Sequence, residues 1–196
     1  MSHVNCLGLC FQSSTFNVRF LAAADSAFYQ QLYTSPALMR FIGEPLTPLQ
    51  AEHSFSKALQ QNQRALMASG ATAMVFFTVA CNRTNQALGL MSVRLESVAA
   101  NNPLYRQPLL EQRCFDAEVG IMLLPEAQQT GLALAALGGL CQKLQATAGL
   151  NILKCFTAEA NIAAKKLVSR LGFVYCSEHK CYQWRKNIIK ITGSLA

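Results

Sequence analysis

The stretch Pro125-Glu126-Ala127-Gln128-Gln129-Thr130-Gly131-Leu132-Ala133 decides the reading of this chain, because it joins a strand-like run to a long apolar helix through a turn of phosphate size. Upstream, Phe115 to Leu124 reads as a strand. Phe115, Ala117, Val119, Ile121 and Leu123 share one face and Asp116, Glu118, Gly120 and Met122 the other, the period of two that a strand imposes. Downstream, residues 131 to 148 read as a helix with Leu137, Leu140 and Leu144 on one stripe, where Gly138 and Gly139 lower intrinsic helicity but allow close packing. The first-turn N–H groups of such a helix lack partners within it and concentrate partial positive charge, so a phosphate or pyrophosphate is the natural guest. Gly131 and Ala133 keep side chains out of its way, and Gln128 and Gln129 can donate amide hydrogen bonds.

Outward from this junction the remaining elements follow. Phe16 to Leu21 predicts a first strand, and Asp25 or Ser26 caps a helix that runs to about Tyr33 and stops at Thr34-Ser35-Pro36. Thr47-Pro48-Leu49-Gln50 is a capping box with proline at the first helical position, ahead of Ala51, Phe55 and Leu59 on one face of a helix over 50–61. Ala73 to Ala80 and Ala87 to Leu95 flank Asn82-Arg83-Thr84-Asn85 and predict an antiparallel hairpin, followed by a longer loop over Asn101 to Gln112. After Gly149 come a strand over Ile152 to Thr157, a helix capped by Asn161 with Ala164, Leu167, Val168 and Leu171 inward, and strands at Phe173 to Cys176 and near Tyr182 to Arg185. The order is that of an α/β (α+β) fold, a mixed sheet flanked by helices.

Length permits one substantial core and no linker or charge block divides it, so a single domain over 13–196 is expected behind an N-terminal extension, 1–12. Hydrophobic residues make up 52% and charged residues 14%, which argues against extended disorder and leaves room for an apolar partner surface. The net charge of +7 is spread without an aromatic-basic stripe, so no specific nucleic-acid partner is expected; the cluster Lys180, Arg185, Lys186 and Lys190 reads as a solvated face. Eight cysteines fall on predicted strands and helices without CxxC pairs and read as reduced thiols; Cys6 and Cys10 have no histidine pair nearby, so no metal site is expected. His3, His53 and His179 show no spacing for a nucleophilic triad and read as exposed or capping residues. Met1 to Gln12 lacks the basic n-region and cleavage site of a signal peptide, and no apolar run approaches spanning length, so a cytoplasmic protein without a membrane partner is expected.

Gln128-x-x-Gly131-x-Ala133, three residues after Pro125, resembles the acyl-coenzyme A pyrophosphate loop (Q/R-x-x-G-x-G/A) of the GNAT superfamily of N-acetyltransferases. Its context strengthens the likeness: the acidic strand Asp116-Ala117-Glu118-Val119-Gly120-Ile121 stands before it, and Asn161 and Leu171-Gly172-Phe173 follow. The resemblance covers roughly residues 15 to 185 and is strongest to the subgroup that includes the ribosomal-protein N-terminal acetyltransferases.

The resemblance implies a mostly antiparallel central sheet and a function of acetyl transfer from acetyl-CoA, a cosubstrate, to a primary amine by direct attack in a ternary complex. The acceptor would be a protein N-terminus or a small-molecule amine. It implies that Glu118 assists loss of the amine proton, with Asp116 the weaker candidate. Gln128, Gln129, Thr130, Gly131, Leu132 and Ala133 would hold the pyrophosphate, while the backbone of Leu123 and the side chain of Asn161 would contact the pantetheine arm. The family serine three residues after the asparagine is absent, Ala164 standing there, so Tyr175, Tyr105 or a water would protonate the leaving thiolate. Helices 25–33 and 50–61, with the loop 101–112, would line the acceptor side, near Phe41, Ile42 and Tyr105. Homodimerisation through sheet edges or the apolar surface is an expectation. The alternative is a non-catalytic acyl-CoA-binding or sensing module, motivated by Ala164.

Overall fold

The computed structural model describes residues 6–67, 72–98 and 115–185. The loop 101–112 with Tyr105, and the residues His3, Cys114, Lys186 and Lys190, lie outside them. Its elements are β1 (Phe11–Gln12), β2 (Phe16–Phe20), α1 (Ser26–Thr34), α2 (Pro36–Met39), α3 (Pro48–Met67), β3 (Thr72–Cys81), β4 (Ala87–Ser97), β5 (Phe115–Leu123), α4 (Leu132–Ala146), β6 (Leu150–Cys155), α5 (Ile162–Arg170), β7 (Val174–Cys176) and β8 (Cys181–Arg185).

An eight-stranded sheet runs in the order β1-β2-β3-β4-β5-β6-β8-β7. Every neighbouring pair is antiparallel except β5 and β6, which run parallel because α4 carries the chain back between them. Period-two alternation divides the strands between two cores. Val75, Phe77, Val79, Met91, Val93, Ala117 and Val119 meet Leu137, Leu140 and Leu144 of α4 and Val168 of α5 on one face. Phe76 and Leu90 meet Phe28, Tyr29 and Leu32 of α1 and Phe55 and Ala58 of α3 on the other. The expected stripe of α4 and the alternation of β5 are therefore both present.

Several local expectations change. Residues Cys6–Gln12, expected as part of an extension, belong to the folded domain: Cys6–Leu9 makes a 3-10 turn with Leu9 in the core, and Phe11–Gln12 pairs with β2. One contact helps to seat it. A Cβ on Gly139 would stand 2.6 Å from the Phe11 ring, so the bare glycine backbone of α4 is what lets that ring approach the helix.

Asp25 precedes α1 but does not cap it, since its carboxylate turns to the sheet. It accepts both guanidinium nitrogens of Arg19 at 2.7 and 2.8 Å, the Ala22 N–H at 2.9 Å and the Thr78 hydroxyl at 2.8 Å. Burial alone would raise its pKa; Arg19, the Ala22 N–H and the Thr78 hydroxyl outweigh it and hold the carboxyl below the usual range.

α3 extends past the expected 50–61 to Met67. Buried Asn62 explains part of the extra length: it donates to Phe76 O at 2.9 Å and accepts from Phe76 N at 2.8 Å. That closes backbone groups of β3 just beyond the point where β2 stops pairing with it.

Candidate active site

The site arises where two parallel strands part. β5 pairs with β6 from Phe115↔Leu150 to Glu118↔Lys154, while its pairing with β4 continues to Gly89↔Leu123. β6 ends at Cys155, so among the described residues the second half of β5 has a neighbour on one edge only. Leu124 N–H bonds Leu88 O across to β4. By the two-residue period, Ile121 and Leu123, beyond the last pairing with β6 at Glu118, therefore turn their N–H and C=O groups toward the open edge. Leu123 thus occupies the position expected of a backbone contact to an extended ligand. Its carbonyl already accepts from Gln128 Nε2 at 3.0 Å, a role for Gln128 that the sequence reading missed.

Beyond Leu124 a 3-10 turn, Pro125–Ala127, delivers the chain to α4. Gln129 and Gly131 have positive φ, 61° and 84°, with Thr130 between them. Thr130 Oγ1 donates to Ala127 O at 2.8 Å and accepts from Leu132 N at 3.3 Å, which pins the turn internally. Of the row expected to bind anion, Leu132 N–H is therefore shared with Thr130. Among the described residues the N–H groups of Gln129, Thr130, Gly131 and Ala133 have no acceptor. A concave run of backbone donors at a helix start is an anion cradle. Open space lies beside it, since a Cβ built on Gly131 would meet nothing within 4 Å.

The two carboxylates of β5 point to the face of α1 and α3 but differ in environment. Asp116 is committed: Lys154 Nζ lies 2.7 Å from one oxygen and Asn151 Nδ2 donates to the other at 2.8 Å. Its side chain is 14% exposed. Glu118 stands at the fork, 36% exposed, and its charged partner is Arg94 Nε at 3.9 Å, too long for a hydrogen bond. It is the carboxylate with lone pairs to spare. On the opposite face Cys155 is buried, and burial together with the charges of Glu118 and Cys181 pushes its thiol up to about 12. It stays protonated at neutral pH and is not a nucleophile.

Asn161 caps α5, its Oδ1 accepting from Ala164 N at 3.1 Å. The carbonyl is spent on the helix and the amide N–H groups remain for a ligand. Ala164 lies in the first turn of that helix. Tyr175 is not brought to Glu118. It sits on β7, three strands from β5, about 14 Å at the ordinary strand spacing. The register Tyr175↔Tyr182↔Cys155 places its side chain on the α4 face, where the ring packs edge-on against Tyr182. Tyr175, expected as a donor to the leaving thiolate, therefore lies apart from Glu118 and on the other face of the sheet. Phe41 lies under the Arg40 guanidinium, 4.4 Å from the ring centroid, and Ile42 is exposed.

This splayed sheet and helix-start cradle coincide with a family match. Residues 16–174 match the acetyltransferase (GNAT) domain. The chain belongs to the GNAT acetyltransferase family. The match runs from the start of β2 to the first residue of β7 and includes the fork, the turn and Asn161.

Solved structures agree on the GNAT fold. Spermidine N-acetyltransferase from Vibrio cholerae, solved with CoA and spermine, is 22% identical with a TM-score of 0.59, covering 84% of this chain and 83% of that one. Ribosomal-protein-S5-alanine acetyltransferase from Vibrio fischeri is 14% identical with a TM-score of 0.63, covering 91% and 97%. RimL, the ribosomal L7/L12 alpha-N-protein acetyltransferase in complex with coenzyme A, is 14% identical with a TM-score of 0.63, covering 88% and 95%. No curated protein sequence matches the chain. Among the described residues no helix is long and apolar enough to cross a membrane.

Proposed function

We propose that this GNAT protein transfers an acetyl group from acetyl-CoA to a primary amine by direct attack in a ternary complex. The observation that carries the reading is the continuity of the open edge of β5 with the donor cradle at α4. An extended thioester-bearing arm and its pyrophosphate need those two surfaces in that order. The residues present fit such a cosubstrate: Gln129, Thr130, Gly131 and Ala133 offer free N–H groups to a diphosphate, and Ile121 and the N–H of Leu123 offer backbone groups to amides. Asn161 keeps amide donors free.

The cosubstrate, once bound, supplies an activated acetyl group. Glu118 then accepts the proton that the attacking amine must lose, directly or through a water, because its oxygens are not held by hydrogen bonds as those of Asp116 are. Arg94 stands beside it at 3.9 Å without covering it. The open-edge N–H groups of β5 offer fixed dipoles where negative charge develops on the carbonyl oxygen. With Ala164 in place of a hydroxyl and Tyr175 on the other face, Tyr105 or a water is the proton source for the departing thiolate. The acceptor approaches over the face that carries Arg94, Glu118 and Lys154.

The test is a panel of amines, including polyamines and short peptides with free N-termini, assayed for free-thiol release from acetyl-CoA. Turnover with any acceptor is expected. CoA binding without turnover across the panel would instead favour the non-catalytic acyl-CoA-binding module, the reading to which Ala164 lends support.

A further inference from the structure

The hairpin joining β7 to β8 brings together side chains far from the fork. Cys176 ends β7, Ser177 to Lys180 make the turn, and Cys181 opens β8. Lys180 adopts φ 49°, and its N–H reaches back to Ser177 O. This tight reversal folds His179 back over the strand end, so that its Nδ1 lies 3.3 Å from Cys176 Sγ. Glu178 Oε2 lies 4.0 Å from the same nitrogen. One ligand atom from each of Cys176, Glu178 and His179 falls within 4.8 Å of the others.

We propose that Cys176, Glu178 and His179 form a zinc site that clips the β7–β8 turn. Zinc bonds of about 2.3 Å to sulfur and about 2.0 Å to nitrogen place tetrahedral neighbours about 3.5 Å apart, close to the observed sulfur–nitrogen separation. The Glu178 side chain is 83% exposed and can swing the short remaining distance without disturbing packing. A thiolate, an imidazole and a carboxylate match a borderline-soft divalent ion and do not match calcium or magnesium, which take oxygen ligands. A thiolate and a carboxylate also balance the ion's two positive charges. The fourth position faces solvent and takes water. Binding displaces the thiol proton from Cys176 to solvent, and no electron moves.

The site does not depend on the acetyl-transfer reading, because no residue of it belongs to the fork or the cradle. The test is titration of the reduced full-length protein with zinc sulfate against a chromophoric chelator, repeated with cobalt(II) to observe thiolate-to-metal absorption. The wild type should bind a single equivalent that raises the Tm. Cys176→Ser, His179→Ala and Glu178→Gln should each weaken it by at least about tenfold, with circular dichroism confirming the fold. No binding at micromolar zinc, or binding unchanged in all three variants, overturns the proposal. So does binding that falls in Cys176→Ser but not in His179→Ala or Glu178→Gln, which would mark a lone thiol.

Discussion

The two halves of β5 carry the same alternating sequence and serve opposite ends. From Phe115 to Glu118 the strand lies between β4 and β6, with its backbone closed on both edges and Asp116 locked to Lys154 and Asn151. Beyond Glu118, as far as Leu123, its one partner strand among the described residues is β4, and its free edge runs into the turn before α4. Glu118 sits at the boundary with one long contact to Arg94. A carboxylate two residues earlier in the closed half is structural; the one at the fork is available to chemistry. The difference comes from which side chains of β6 reach each carboxylate, not from the residue type.

The sharpest way to break this comparison is to neutralise each carboxylate in turn. Glu118→Gln is expected to lower turnover by about tenfold to ten-thousandfold with CoA affinity little changed. Asp116→Asn should leave turnover within about twofold and cost about 1–3 kcal/mol of stability, read by chemical denaturation. Reversed outcomes in steady-state kinetics would move the base to Asp116 and dissolve the distinction between the halves.

At the open end, Ala133→Glu places a negative charge in the first turn of α4. The helix itself tolerates an acid there, so the fold should hold while calorimetric affinity for acetyl-CoA falls by more than about tenfold through charge repulsion. This variant is a cleaner probe than a substitution at Gly131, whose φ of 84° would strain any side chain. Unchanged affinity would remove the cradle from the cofactor site. Gln128→Ala, which frees the Leu123 carbonyl, should shift affinity by only a few-fold, since a single neutral hydrogen bond contributes about 1 kcal/mol.

The smallest effects belong to residues outside both halves. Tyr175→Phe should turn over at the wild-type rate, because the hydroxyl is on the far face of the sheet. Ala164→Ser should preserve or modestly raise the rate. A tenfold loss in Tyr175→Phe, measured beside thermal stability, would return a proton-donating role to that edge strand.

What could be read without coordinates was what is encoded locally. The alternation of β5, the Leu137, Leu140 and Leu144 stripe and the glycine at the turn depend on neighbours a few residues away, and the structure has all of them. β1 was hidden because two residues carry no period, and its place is decided by Phe11 meeting Gly139 across the chain. The commitment of Asp116 depended on a register shift in the β5–β6 pairing that brings Asn151 and Lys154 to it. From sequence, the Gln128 amide next to a glycine turn reads as donating outward to a ligand. That it donates inward to Leu123 follows from the path of the preceding 3-10 turn. The partnership of Cys176 and His179 needed the hairpin's reversal, which residue spacing alone does not reveal.

The ring of Phe11 resting on the bare backbone of Gly139 bears on how this protein can be trimmed or fused. A shortened chain starting at Ser13 would keep every residue of the fork and the cradle, yet would strip an aromatic cover from the middle of α4 and remove Leu9 from beneath it. Because that helix begins at the turn that presents the anion donors, a change made at the chain's beginning would be felt at the mouth of the site. A fusion partner is better joined upstream of Cys6, with a flexible spacer, than grafted in place of residues 6–12.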